Sequence, residues 1–202
     1  MFRVALIATL MILGVGIGGC TTSARLAYSP STSVDRSSAP AIFAVGAVDQ
    51  RKEAPHRLAT IMGGFGNPLK YLDTADPVKD VVAGAFVDGL QARGLLSEDH
   101  HAPFRLDLVI RKFDADMIMG STARIDMDLT LVNAGTSQPV YRDTIADERS
   151  DFAFFAVGVF ASTDDLQKLA QTLLNATVDK MLDKPGFRAA LTQISAPSQA
   201  AS

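Results

Sequence analysis

Apolar and polar residues alternate along two stretches of the chain and recur every three or four residues along two others, and these periods define the expected elements. In residues 104–112, Phe104, Leu106, Leu108 and Ile110 alternate with Arg105, Asp107, Val109 and Arg111; in 123–133, Ile125, Met127, Leu129 and Leu131 alternate with Arg124, Asp126, Asp128 and Thr130. A period of two predicts strands with one face in the core and the other in water. The turn at Asn133-Ala134-Gly135-Thr136-Ser137 leads into 139–147, whose Val140, Tyr141, Thr144 and Ile145 predict a third antiparallel partner. Residues 41–48, with Ile42, Phe43, Val45 and Val48, form a short apolar run closed by charged residues, the pattern of a first strand buried on both faces.

The helical period appears twice. Val78, Val81, Val82, Ala85, Phe86, Gly89 and Leu90 make one apolar stripe, and Lys79, Asp80, Asp88, Gln91 and Arg93 mark the wet side. Asp76 is the expected N-cap, Pro77 the first helical residue and Gly94 the stop. Gly84 and Gly89 weaken this helix but would let it lie close to a sheet. Ser162-Thr163-Asp164-Asp165 opens the second helix, with Leu166, Leu169, Ala170, Leu173, Leu174, Val178, Met181 and Leu182 on its buried face. Pro185-Gly186 is the expected end, with a short extra turn after Phe187. The expectation is a single α+β domain over 41–194 in the order β-α-β-β-β-α. It has a mostly antiparallel four-stranded sheet and two helices packed on one face. Residues 195–202 form a small-residue polar tail expected to be disordered.

The amino terminus follows a different pattern. Arg3 precedes an uncharged apolar run from Val4 to Ile17, which ends in Gly18, Gly19 and Cys20, the only cysteine of the chain. A basic start, an apolar middle and small residues are the layout of a secretory signal over 1–19. A bilayer span needs about 20 apolar residues, and this run is shorter and loosened by glycine. Ile17-Gly18-Gly19-Cys20 resembles the lipobox of bacterial lipoproteins. That resemblance implies diacylglycerol on the Cys20 sulfur, cleavage before Cys20 and acylation of the new amino group, with fatty acids such as palmitate. Two or three acyl chains anchor a protein stably where one does not. A single exported cysteine has no internal disulfide partner, in keeping with a modified residue. Residues 20–40, rich in Ser, Thr, Ala and Pro, are expected to be the lipidated cysteine and a flexible tether. Thr21, in place of Asp, favours the outer membrane if the source is Gram-negative.

Composition narrows the function classes. The 202 residues carry 19 Lys plus Arg against 22 Asp plus Glu, a formal net charge of -3, and no Trp. Without clustered basic residues or stacking platforms, nucleic acid is not an expected partner. Candidate contact residues are Asp49 and Arg51 at the mouth of the first strand, and Gly63, Gly64, Phe65, Gly66 and Asn67 in a long loop over 54–76. The glycines have neither P-loop nor dinucleotide spacing, so no nucleotide cofactor is expected. His100 and His101 follow Glu98 and Asp99 in a turn, and His56 lies far away in sequence, so no metal site is expected. Asp107, Asp126 and Asp128 alternate outward as on a solvated sheet face. Residues 151–161 gather Phe152, Phe154, Phe155, Val157, Val159 and Phe160. These fill the core end or form an apolar patch for a partner or lipid.

Val45-Gly46-Ala47-Val48-Asp49-Gln50-Arg51, the glycine-rich loop through Asn67, and Val78, Val82, Ala85, Phe86, Leu90 and Gly94 resemble the YajG-type bacterial lipoproteins. More loosely, they are similar to the ABC-type transport auxiliary lipoproteins of the outer membrane. The resemblance implies a periplasm-facing domain on an outer-membrane anchor and brings no catalytic residues. The expected function is a non-enzymatic lipoprotein, anchored through Cys20, that binds a protein or lipid partner in the cell envelope. The alternatives are a periplasmic hydrolase or metal-dependent enzyme using Asp49, His56 or His100 with His101, and a purely structural envelope protein.

Overall fold

The computed structural model describes residues 20–31, 33–63, 65, 67–117, 121–151 and 162–192. The elements are β1 (Cys20–Ala24), β2 (Ile42–Asp49), β3 (Arg57–Met62), β4 (Pro68–Thr74), α1 (Val78–Ala92), β5 (Phe104–Met117), β6 (Ser121–Asn133), β7 (Pro139–Asp151), α2 (Thr163–Leu182) and α3 (Pro185–Thr192). The class is α+β, but the sheet is mixed and seven-stranded, in place of the expected four, and three helices accompany it among the described residues.

The sheet runs β1-β4-β3-β5-β6-β7, with β2 also on β5. The antiparallel β5-β6-β7 meander is its centre, and it follows the expected pairing with longer strands. The other edge of β5 is shared: β2 runs parallel to its first half, up to Asp49 opposite Ile110, and β3 runs parallel to its end, from Ala59 opposite Ala115. Between the two, β5 bulges, skipping register between Ile110 and Lys112. The bulge explains the strand's length. Buried positions run 104, 106, 108 and 110, then 113, 115 and 117, so the alternation changes phase at Arg111-Lys112, where the sequence pattern places the end.

Three further expectations are corrected. The long loop of 54–76 contains a hairpin, β3 antiparallel to β4; Leu58, Ile61 and Leu72 are buried in it, but its short strands carry too little alternation to show a period. The tether of 20–40 is bound to the domain: its first five residues form β1, parallel to β4. Nor is β2 buried on both faces, since Val48 is 56% exposed on it.

The core lies between the helices and the inner face of the meander, where Leu106, Leu108, Ile110, Ile125, Met127, Leu129 and Leu131 meet Phe86, Leu90, Leu173, Leu174 and Val178. Helix α1 begins at Val78 with Pro77, not Asp76, at the cap, and no side chain caps it. Its end has the two hydrogen bonds of a Schellman turn: Gly94 N–H donates to Gln91 O and Leu95 N–H to Leu90 O. Gly94 has φ +63. Helix α2 begins as expected, with the Ser162 hydroxyl accepting from Asp164 N–H at 3.2 Å. Pro185 opens α3 and does not merely end α2; Phe187 is buried there, edge-on to Tyr141 at 5.9 Å.

Candidate functional site

Strand register places Cys20 at one rim of the sheet. Cys20 pairs with Lys70 near the start of β4, Met62 pairs with Pro68 across the β3-β4 hairpin, and Ile61 pairs with Met117 at the end of β5. Met117 faces Ser121, which in turn faces Asp151 at the end of β7. The hairpin tip is closed by Gly63 N–H donating to Asn67 O at 2.7 Å. A Cβ on Gly63 would lie 2.9 Å from Asn67 Oδ1 and 3.2 Å from Leu69 Cγ, so a larger residue there would have to push those two side chains aside. At the tip Phe65 is fully exposed and Met62 is 38% exposed. The opposite rim is polar, with Glu98, Asp99, His100 and His101 before β5 and the 134–138 turn before β7.

From Ala24 the chain crosses onto α2, where one polar face holds it. Gln167 Nε2 donates to Arg25 O, Gln171 donates to Ala27 O and accepts from Ala27 N–H, and the Asn175 side-chain oxygen accepts from Ser29 N–H. Asp179 accepts from Ser31 N–H at 3.0 Å and from the Ser31 hydroxyl. These four helix residues are spaced by four, so they lie along one side of α2. The strap ends on a buried ion cluster. Arg93, expected on the wet side of α1, is completely buried. It binds Asp183 through Nε and a terminal nitrogen at 2.8 and 2.5 Å, Asp179 at 2.9 Å and the Tyr28 hydroxyl at 2.9 Å. Hydrogen bonds from Arg93 hold Asp183 below the usual carboxylate range. Burial alone would raise Asp179, but the bonds from Ser31, Tyr28 and Arg93 outweigh it and hold that carboxyl low as well. None of this cluster is apparent from the helix period, though a run of Gln, Gln, Asn and Asp at four-residue intervals is its sequence trace.

Asp49 and Arg51 are together. Both Asp49 oxygens accept from the Arg51 guanidinium, at 3.0 and 2.8 Å, and Asp49 also accepts Arg51 N–H. The remaining donors of Arg51 go to the carbonyls of Arg57, Phe113 and Pro55 at 2.8, 3.1 and 3.3 Å. Arg51 thereby fills the gap on β5 between β2 and β3, satisfying the Phe113 carbonyl near the bulge. Burial would raise Asp49, but Arg51 overrides it and its pKa is lowered. An open cleft of about 460 Å³ lies beside the pair, lined by Ala47, Val48, Glu53, Pro77 and Lys79 among others.

The remaining candidates are dispersed. His56 Nδ1 hydrogen-bonds the Thr74 carbonyl at 3.0 Å, whereas His100 and His101 lie at the polar rim, so the structure does not bring the histidines and Asp49 together. Among the described residues no three His, Cys, Asp or Glu side chains could hold a metal ion together. Asp107, Asp126 and Asp128 lie on the outer sheet face in ion pairs: Arg105 with Asp107 at 3.2 Å, and Arg111 with Asp126 at 2.5 Å and with Asp128. Gly64, Gly66, Phe154 and Phe155 lie outside the described residues. Among the described residues no helix is long and apolar enough to cross a membrane.

No family model matches the chain, and no curated protein does. Solved structures do. A Xanthomonas campestris protein, XCC0632, of the DUF330 family, has a TM-score of 0.62 at 12% identity, covering 87% of this chain and 98% of its own. A structure known as an uncharacterized protein has a TM-score of 0.54 at 10% identity, covering 81% and 95%. At these identities the likeness establishes a shared fold. Lipoprotein GNA1162 from Neisseria meningitidis has 12% identity, with 72% and 100% covered, but its TM-score of 0.31 supports no argument about this chain.

Proposed function

We propose that this protein is a lipid-anchored, non-enzymatic lipoprotein of the cell envelope, held on the periplasmic face of the outer membrane in a Gram-negative source. There it would bind a protein or lipid partner as an accessory to envelope assembly or lipid transport. The observation that carries the reading is the position of Cys20. The residue that ends the Ile17-Gly18-Gly19-Cys20 motif is also the first described residue of the sheet, at its rim, where Cys20 pairs with Lys70. Cleavage before Cys20 would leave every described element in the mature chain and place the acylated residue at the edge of the sheet.

The non-enzymatic part is supported by how the candidate acids and bases are used. Asp49 is committed to Arg51, and Asp126 and Asp128 to Arg111. A hydrolase needs nucleophile, base and oxyanion donors to converge. The likeness to YajG-type and transport auxiliary lipoproteins agrees with a binding role and adds no chemistry.

The test is intact-mass analysis of protein extracted from membranes, alongside the Cys20→Ser variant. The expected mature form starts at Cys20 and carries diacylglycerol and acyl mass, and the variant stays uncut. A mature form cleaved elsewhere, or one that fractionates with lipid without Cys20, rejects the anchor. For the binding role, in-cell cross-linking should return the same partner reproducibly; no partner, together with an unaltered envelope on deletion, rejects it.

A further inference from the structure

Among the described residues, one rim of the sheet brings Cys20, where the mature chain would start, together with exposed apolar residues at a tight turn. Cys20 pairs with Lys70, two residues from Pro68, and Pro68 pairs with Met62. Adjacent strands lie about 5 Å apart, so the cysteine and the hairpin tip are close neighbours. The tip presents Phe65, fully exposed, and Met62. The turn at the far rim is Ala134-Gly135-Thr136-Ser137-Gln138, and the loop before β5 carries Glu98, Asp99, His100 and His101. Among the described residues, one end of the domain thus presents apolar side chains at a protruding turn, and the other carries polar turns beside a partly exposed Val140.

The chain also leaves no slack between the cysteine and the body. Cys20 itself is paired with Lys70 of β4, and residues 25–31 are then held on α2 by Gln167, Gln171, Asn175 and Asp179. A domain whose acyl chains leave from a sheet residue cannot stand far from the bilayer, and that residue's end of the sheet must face the lipid. From this geometry we infer that the β3-β4 hairpin tip is a second, non-covalent membrane contact. Phe65 and Met62 enter the lipid surface beside acylated Cys20, and the polar rim points away into the aqueous space. The inference rests on the lipid-anchor reading and adds to it a fixed orientation. Apolar side chains on interfacial elements settle roughly 5–10 Å into the boundary between headgroups and acyl chains, a depth an exposed Phe at a hairpin tip reaches.

The chain has no Trp, so a single substitution supplies a depth probe. Full-length precursor carrying Phe65→Trp, processed in cells and purified acylated, is reconstituted into phosphatidylethanolamine and phosphatidylglycerol vesicles with brominated acyl chains. Val140→Trp, on a residue 36% exposed at the polar rim, is the comparison. The expected result is blue-shifted Phe65→Trp emission, quenched about twofold by bromine at interfacial depth, with Val140→Trp unaffected. Acylated protein that floats with the vesicles while neither probe is quenched, or while both are quenched equally, overturns the orientation and leaves the anchor standing. A blue shift without bromine quenching means another protein copy covers the tip, which also overturns it. Protein that is neither acylated nor vesicle-bound overturns both readings.

Discussion

Gln171 holds Ala27 as a neighbouring strand would: its side-chain amide donates to the Ala27 carbonyl at 2.8 Å and accepts from the Ala27 N–H at 2.9 Å. A residue of a polar segment thus has both backbone groups satisfied by one helix side chain. The segment is ordered by hydrogen bonds more than by apolar burial, which is why a composition of Ser, Thr, Ala and Pro misreads it as a tether. The consequence is mechanical: the strap ties the residues that follow β1 directly to α2.

Replacing Gln171 by Ala should release the strap while leaving the core folded. Each lost bond is worth roughly 0.5–1.5 kcal/mol, and these are exposed. Hydrogen exchange at Ala27 should accelerate about tenfold or more, and trypsin should begin to cut after Arg25, while Leu129 in the central strand keeps its protection. Unchanged exchange at Ala27 would show that Tyr28 and Ser31 alone secure the segment.

The cluster at the end of the strap predicts an acid limit to stability. Asp179 and Asp183 have folded pKa values below their ordinary ones, as do Asp49 and Asp128, the last through the Thr144 hydroxyl and Arg111. A carboxyl depressed by folding stabilises fully above its unfolded pKa, near 3.9, and loses that contribution as pH falls through the folded value. Asp114 acts oppositely: burial raises it, so the destabilisation it causes at neutral pH disappears on acidification. Four depressed groups against one raised predict that the midpoint of urea unfolding is flat from pH 7 to about 5 and falls below about 4. Arg93→Met should lower the plateau by about 3 kcal/mol, because Asp179 is left without its buried partner, and should shallow the acid decline.

Three glycines around α1 should respond with different signs to alanine. Gly84 is exposed with nothing within 4 Å of an added Cβ, so Gly84→Ala should stabilise by about 0.5–1 kcal/mol through helix propensity. At Gly89 the new Cβ would meet Val178 Cγ1 at 2.5 Å, and at Gly94 it would meet the Ser37 carbonyl oxygen at 2.5 Å on a backbone of positive φ. Both should destabilise by about 1–3 kcal/mol. Thermal melts of the three variants check the order. The helix pattern alone does not distinguish Gly84 from Gly89 as points of approach to the sheet; of the two, Gly89 makes a close approach, and it is to α2.

What was legible in the chain follows from which forces leave a periodic trace. The meander and both long helices bury one face each, so Leu106, Leu108, Leu129, Leu173 and Val178 recur at two or at three to four and identify their elements. The β3-β4 hairpin buries only a few side chains, and β1 pairs through its backbone, which any residue provides. The parallel pairings of β2 and β3 on β5 come from distant parts of the chain and have no local signature. Arg93 reads as solvent-facing because its partners, Asp179 and Asp183, lie some ninety residues on. At the candidate site, the motif singles out Cys20 and the glycine-rich loop singles out Phe65, but that they share a rim depends on β1 pairing with β4.

Asp49 and Arg51 should separate by how much each removes. Asp49→Ala takes away one carboxylate and leaves Arg51 with three carbonyl acceptors; Arg51→Met leaves the carbonyls of Arg57 and Phe113 without this donor and Asp49 without its cation. Losing a buried donor costs about 1–3 kcal/mol for each orphaned group, and breaking a buried ion pair about 3–5. Arg51→Met should therefore destabilise by about 3 kcal/mol or more, Asp49→Ala by clearly less, and the double variant by little more than Arg51→Met alone. Exchange at Ala59 and Ile61 should rise in Arg51→Met, since β3 loses the side chain that ties its start to β5. Equal losses from the two single variants, measured by urea unfolding, would mean that the ion pair dominates and the carbonyl bonds contribute nothing. A substitution that spares stability yet abolishes partner capture would instead assign the Asp49 cleft to binding.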